Sequence, residues 1–160
     1  TKSLKWLAAL VIFLCAATTL HVTWQGIGSI VNPETFGVQW YDDVKWLQVA
    51  VLVGRMLGGI AFSILMTIFI IKSVKALKNG VLFPRCNVGI LYGSAASFFL
   101  YRFCYSNMGI ASGVERNLLI NLDDVIVLLV IIIFAIIYKF AVKGSEENSL
   151  TIEKEEPCQS

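Results

Sequence analysis

The sequence predicts an all-α fold: an integral membrane four-helix bundle with its N and C termini in the cytoplasm. Three observations carry that expectation. Hydrophobic residues make up 57% of the 160-residue chain and charged residues only 15%, where soluble chains run at about 45–50% and about 25%. Mean hydropathy is +0.74, which argues against intrinsic disorder and against a soluble globular domain. Four apolar stretches come close to the roughly 20 helical residues that a hydrocarbon core about 30 Å thick requires. None of them alternates like a barrel strand. In lipid the backbone must satisfy its own polar groups, and helices do so.

The first stretch, residues 6–23, follows Lys2 and Lys5. This resembles a secretory leader, but there is no A-x-A cleavage site, and Leu14 precedes Cys15 where a lipoprotein leader wants a small residue. A retained helix is therefore expected. Asn32-Pro33-Glu34 has the order of N-cap, first helical position and first-turn acid, so one short helical turn at the interface is expected, with a plain connector as the alternative. The second stretch, residues 46–71, runs on into Lys72, Lys75 and Lys78 as a basic amphipathic end, which Asn79-Gly80 stops. These lysines and Arg85 form an inner-face basic patch. It serves either to fix topology or to dock an acidic cytosolic partner, and lysines there reach anionic headgroups. The third stretch is residues 88–105. The fourth starts at Leu118 or Val125 and ends at Val142. Asn121 is its expected cap, with Asp123 and Asp124 in the first turn, where the macrodipole favours acids. The chain thus divides into a membrane domain, residues 1–143, and an acidic cytoplasmic tail, residues 144–160. In that tail Leu150-Thr151-Ile152 is apolar enough to add a strand or to pack, and mobility is expected beyond about Glu153.

Basic residues set the direction. Lys2, Lys5, Lys72, Lys75, Lys78, Arg85, Lys139 and Lys143 fall on one side of the expected spans, against Lys45 and Arg116 on the other. The richer side is cytoplasmic. Trp24, Trp40, Tyr41, Trp46, Tyr101 and Tyr105 then cluster at the outer ends, with Trp6, Phe83, Tyr138 and Phe140 at the inner ends, as headgroup-level rings should. Outer loops are expected near residues 24–45 and 106–117. A multi-pass membrane protein with both termini in the cytoplasm is the result.

Arg55 and Arg102 lie inside apolar spans, where insertion costs about 2.5–3.5 kcal/mol each. Asp123 and Asp124 are the candidate counter-ions. The cluster is either a polar site in the outer half, which two arginines would suit to an anion or carboxylate, or a structural ion-pair network. Arg55 is expected to face the interior, satisfied by Asp123, Asp124, a backbone carbonyl or water. Gly54 and Gly58 on the second stretch, and Gly89 and Gly93 on the third, form small-residue ridges for close helix approach, within the chain or across a homodimer seam. No nucleophile elbow, phosphate loop, H-E-x-x-H or carboxylate dyad occurs, so no catalytic residues are expected. One histidine, His21, and four dispersed cysteines argue against a metal site, and no cofactor is expected. A net charge of +2 argues against direct nucleic-acid binding.

Two segments carry a family likeness. One is Ala76-Leu77-Lys78-Asn79-Gly80-Val81-Leu82-Phe83 with Asn87 beyond it. The other is Asp123-Asp124, an Ile/Val-rich span, then Lys143-Gly144-Ser145-Glu146-Glu147-Asn148-Ser149-Leu150-Thr151-Ile152. Together they resemble the bacterial membrane family called domain of unknown function 2975, with Leu82 where that family has proline and Ser149 where it has aspartate. The resemblance implies four helices with both ends inside. Members are often encoded beside a small Cro-like helix-turn-helix regulator, so it also implies a cytosolic regulatory partner, but no activity. The expected function is non-enzymatic, accessory or sensory. The alternative is a small oligomeric transporter, efflux or immunity component. The expected partners are the lipid bilayer, the cytosolic regulator and, as an alternative, a second copy. The topology has a direct check: in intact cells Cys158 should be shielded from a membrane-impermeant thiol reagent and become reactive on permeabilisation. Labelling in intact cells would reverse the orientation.

Overall fold

A computed structural model describes the backbone of residues 2–155 and the side chains of residue 3 and residues 5–147. Its elements are α1 (Lys2–Val31), a 3-10 turn (Pro33–Phe36), α2 (Lys45–Lys78), α3 (Cys86–Ser106), α4 (Met108–Ala111) and α5 (Leu122–Glu155). There is no strand among the described residues. Three helices are long and apolar enough to cross a membrane, over Lys5–Val31, Lys45–Lys78 and Leu122–Glu147.

Where four such spans are expected, the third differs. Residues 88–105 do lie in a 21-residue helix, α3, but it is not among those three. Asn87, Tyr92, Ser94, Ser97, Tyr101 and Arg102 dilute its apolar character. The reason is its position. Among the described residues α1 packs on α2, α2 on α3 and α3 on α5, with no close backbone approach between α1 and α5. The helices therefore form an open row. α3 is flanked on two sides by protein, where Asn87 finds partners on α2 and α5 and Arg102 finds Asp124 on α5, while Ser94 Oγ is buried without one.

Successive long helices run antiparallel. Gly26 lies against Met56 and Val22 against Gly59; Gly54 lies against Cys104 and Gly93 against Leu65. Asp124 reaches Arg102 and Asn87 reaches Tyr138. This brings Lys5, Lys72, Lys75, Lys78, Arg85, Lys139 and Lys143 to one end of the row, and Lys45 and Arg116 to the other. The first is the inner end of the expected topology and the second the outer end.

α1 outruns its expected span. It continues through residues 24–31, so the connection to α2 starts at Asn32 and not near residue 24. A Cβ on Gly28 would strike the Phe36 ring, so this glycine lets the 3-10 turn fold back onto α1. The turn has Pro33 in its first position and Gly37 as its left-handed end at φ 69°, as Asn32-Pro33-Glu34 predicts, although the Asn32 side chain makes no cap bond. Asn79 ends α2 and Gly80 follows at φ 76°. Asn121 Oδ1 accepts from the Asp123 N–H at 3.1 Å, the expected cap of α5.

The change of composition at Gly144 brings no break. α5 stays helical to Glu155, with Lys143 and Glu147 paired one turn apart at 3.6 Å. Leu150-Thr151-Ile152 is accordingly helix, not strand. Cys158 and Glu156 lie outside the described residues.

Three of the four predicted ridge glycines sit in the α2–α3 seam. A Cβ at Gly58 would lie 2.6 Å from the Tyr101 nitrogen and 2.9 Å from the Ser97 oxygen; one at Gly54 would lie 2.7 Å from Cys104 Sγ, and one at Gly93 would lie 3.2 Å from Leu65. Because this ridge is used within the chain, Gly54, Gly58 and Gly93 are not free to form a homodimer seam. Gly89 is the exception, with nothing within 4 Å of its would-be Cβ. Backbone atoms cannot rotate away as side chains do. Gly58→Ala should therefore destabilise by about 1–3 kcal/mol, while Gly89→Ala should be neutral or stabilising by up to about 1 kcal/mol through helix propensity. Thermal unfolding in detergent checks both.

Candidate functional site

The outer end is built on two buried amides. Gln48 is fully buried. Its Nε2 donates to the Gln39 carbonyl at 2.6 Å and the Ile110 carbonyl at 3.1 Å, and its Oε1 accepts from the Tyr41 N–H at 3.0 Å. One side chain on α2 thus fixes the preceding loop and α4. Asn107, also fully buried, acts as a strand would. Its Nδ2 donates to the carbonyls of Phe103 and Leu119, and its Oδ1 accepts from the Leu119 N–H at 2.7 Å. This pins the 112–121 loop to the end of α3. Val38, Leu52 and Ala111, and beside them Val51, Cys104 and Ile110, fill the space between, with Met108 packed on both groups.

Over this base sit the two arginines. On α3, Arg102 is paired with Asp124 of α5. Its Nε and Nη2 both lie 2.9 Å from Oδ1, and Ser106 Oγ donates to Oδ2 at 2.5 Å. The Asp124 side chain is 1% exposed and that of Arg102 33%. The carboxylate is thus sunk and fully bonded, while the guanidinium keeps one edge at the surface.

Arg55, on α2, does not pair with either aspartate. Its Nη2 donates to Gln25 Oε1 of α1 at 2.5 Å, its Nη1 reaches Met108 Sδ at 3.7 Å, and its Nε is buried without a partner. Its guanidinium lies 5.2 Å from the centre of the Tyr105 ring, and that of Arg102 lies 5.8 Å from the same ring. Such contacts contribute about 0.5–2 kcal/mol. Arg55 therefore faces the interior as expected, but a neutral amide and an aromatic face take the role expected of Asp123, Asp124, a carbonyl or water. The reason is the order of the row: α3 stands between Arg55 and the helix that carries the aspartates. Asp123 joins nothing there. It is exposed at the start of α5.

Arg55, Arg102 and Asp124 are thus brought together around Tyr105, carrying two positive charges and one negative. Such a set can receive an anion or a carboxylate. Gln25, Tyr105 and Ser106 complete it. Their residue types carry no signal of depth or facing, and only the register of α1 on α2 and of α3 on α5 makes them neighbours. Lys72, Lys75, Lys78 and Arg85 stand exposed at the opposite, inner end. There Asn87, fully buried, donates to Ser73 Oγ at 2.8 Å and Tyr138 OH at 3.4 Å, beside the cluster of Leu91, Ala135, Tyr138 and Val142.

No family model, curated protein or solved structure matches this chain.

Removing one partner of a fully buried ion pair costs about 3–5 kcal/mol, because a charge is left unpaired. Arg102 is partly exposed, so Arg102→Leu should cost about 2–4 kcal/mol. The double variant Arg102→Leu/Asp124→Leu should recover at least half of that loss. Unfolding in detergent measures both. A double variant less stable than the single one would mean that the pair is not the interaction being lost.

Proposed function

We propose that this chain is a non-enzymatic, multi-pass protein of the bacterial cytoplasmic membrane, accessory or sensory in type, whose partner is a cytosolic helix-turn-helix regulator. In this reading α3 crosses the bilayer with the other three long helices, both termini are cytoplasmic, and the domain of unknown function 2975 is the family to which the chain is allied. The gathering of basic residues at one end of the row supports that direction.

The observation that carries the reading is α5. Its 34 residues form one unbroken helix about 51 Å long, against a hydrocarbon core of about 30 Å. One end holds Asp124 in the buried pair with Arg102, and Glu146 and Glu147 stand at the other end of the apolar stretch. A rod held at its outer end by the buried pair joins that site to the inner end, so that a shift of Asp124 would be felt at Glu146 and Glu147. Arg102, which keeps one edge of its guanidinium at the surface, and Arg55, a cation without a carboxylate, are the two groups that would hold an anionic ligand from the outer side.

The test is capture from native bacterial membranes. The full chain, tagged at its N terminus and solubilised in mild detergent, should bring down a small DNA-binding protein at about equal stoichiometry, and deletion of residues 144–160 should abolish this. Arg55→Leu should leave the complex intact but remove its response to ligand. A chain that carries no such partner and sediments as a dimer would favour the small oligomeric transporter, since four helices rarely enclose a path alone.

A further inference from the structure

The seam between α1 and α2 is closed at the outer end and open at the inner end. The buried residues of α1 are Val22, Gly26 and Ser29, and no described side chain from residue 3 to residue 20 is buried. The cause lies in the sequence. Ala8, Ala9 and Ala16 line the seam there and are too small to fill it.

Two cavities result. The inner one, of about 560 Å³, has Lys5, Lys75 and Lys78 among its lining and otherwise only alanine, isoleucine and valine. The second, of about 270 Å³, continues along the same seam past Ala16 and Thr19, facing Ser63 and Thr67. Ile12 lines both, so they form one trough. The hydroxyls of Thr19 and Thr67 are turned back onto the carbonyls of Cys15 and Ser63 at 2.9 and 2.8 Å, which leaves the wall apolar. From Lys5 to Thr19 the trough runs about 21 Å. That exceeds the hydrocarbon depth of one leaflet, about 15 Å or half the core.

No acidic residue lines either cavity. The three ammonium groups sit where α1 and α2 leave the apolar region, at headgroup level. A second copy related by a two-fold axis would set lysines against lysines there. An acidic peptide would match the lysines and leave the apolar trough below them unfilled. One kind of molecule satisfies both parts. We propose that the α1–α2 trough binds a single anionic glycerophospholipid, its phosphate among Lys5, Lys75 and Lys78 and one acyl chain laid along Ala8, Ile12 and Ala16. The inference needs α1 and α2 to lie in the bilayer. It needs neither the regulator nor a choice of which side is cytoplasmic.

The full chain in detergent, studied by native mass spectrometry with phosphatidylglycerol and phosphatidylcholine of matched chains, tests this. One phosphatidylglycerol should be retained with a preference of about tenfold or more. Lys5→Gln/Lys75→Gln/Lys78→Gln should abolish the preference. Lys72→Gln/Arg85→Gln, which removes the same kind of charge outside the trough, should keep it. Ala8→Phe/Ala16→Phe, filling the trough and leaving the lysines, should reduce retention of both lipids, with helix content unchanged by circular dichroism. Equal retention of the two lipids by the unaltered chain would overturn the proposal. So would equal losses from the two charge-removing variants, or displacement of the lipid by glycerol 3-phosphate or by an acidic peptide at comparable concentration. Labelling of Cys158 reports on orientation separately, so failure of the topology and failure of the lipid site are distinguishable.

Discussion

The α2–α3 contact at Gly58 sets the geometry of the outer end. Only a residue without a side chain lets the Tyr101 nitrogen and the Ser97 oxygen come so near, and two backbones at that distance leave α2 and α3 little freedom to rotate on each other. Facing then follows from the 3.6-residue period. Ser97, Tyr101 and Cys104 turn toward α2. Tyr105, one turn beyond Tyr101, stays close enough to α2 for its ring to meet Arg55. Arg102, about 100° around from Tyr101, is turned off that face and finds Asp124 on α5.

This explains why two arginines at similar depth are treated differently. The cost of a guanidinium in an apolar span falls when polar atoms or an aromatic face replace water. Arg102 has a carboxylate within reach because α3 touches α5. Arg55 lies on the other side of α3 and has only what α1, α3 and α4 can offer: an amide oxygen, an aromatic face and a thioether. Its Nε is left buried and unbonded. Such a group keeps more of its attraction for an anion than Arg102 does, whose charge Asp124 neutralises.

Much of this was legible in the sequence, and the limits have a physical pattern. Features set by local chemistry were readable: the Pro33 turn, the Asn79-Gly80 stop, the Asn121 cap, and Gly58 as a point of close approach. A carboxylate partner at the start of the fourth stretch was readable too, but not that it would be Asp124 instead of Asp123, nor that it would go to Arg102 and not to Arg55. Features set by the register of one helix on another were not. Gln25 is a polar residue in a half-turn of glycines, and nothing local says that it faces Arg55. Gly89 and Gly93 share one ridge in sequence, yet Leu65 reaches only Gly93. The buried amides Gln48, Asn87 and Asn107 look like ordinary surface residues, because an amide can satisfy itself in water or between two backbones equally well. The apolar run of α3 was clear, but its polar content acquires meaning only once protein stands on both sides of it.

The row arrangement ties the two ends of the molecule together. A closed bundle gives every helix two neighbours, whereas an open row leaves its edge helices, α1 and α5, with one. An edge helix needs a single apolar contact face, so it can be apolar all round toward lipid, as α5 is, or small toward its one neighbour, as the inner half of α1 is. At the outer end the contact of α1 is secured by Val22 on Gly59, Gly26 on Met56 and Gln25 on Arg55. Nothing comparable holds it at the inner end, where alanines face isoleucine and valine across a gap. In water such a gap would close, because burying the apolar walls is favourable. In a bilayer that drive is absent, since lipid tails are as apolar as the walls themselves. The gap is therefore as stable filled by an acyl chain as it would be filled by a larger side chain, and the lysines at its mouth decide which lipid supplies that chain.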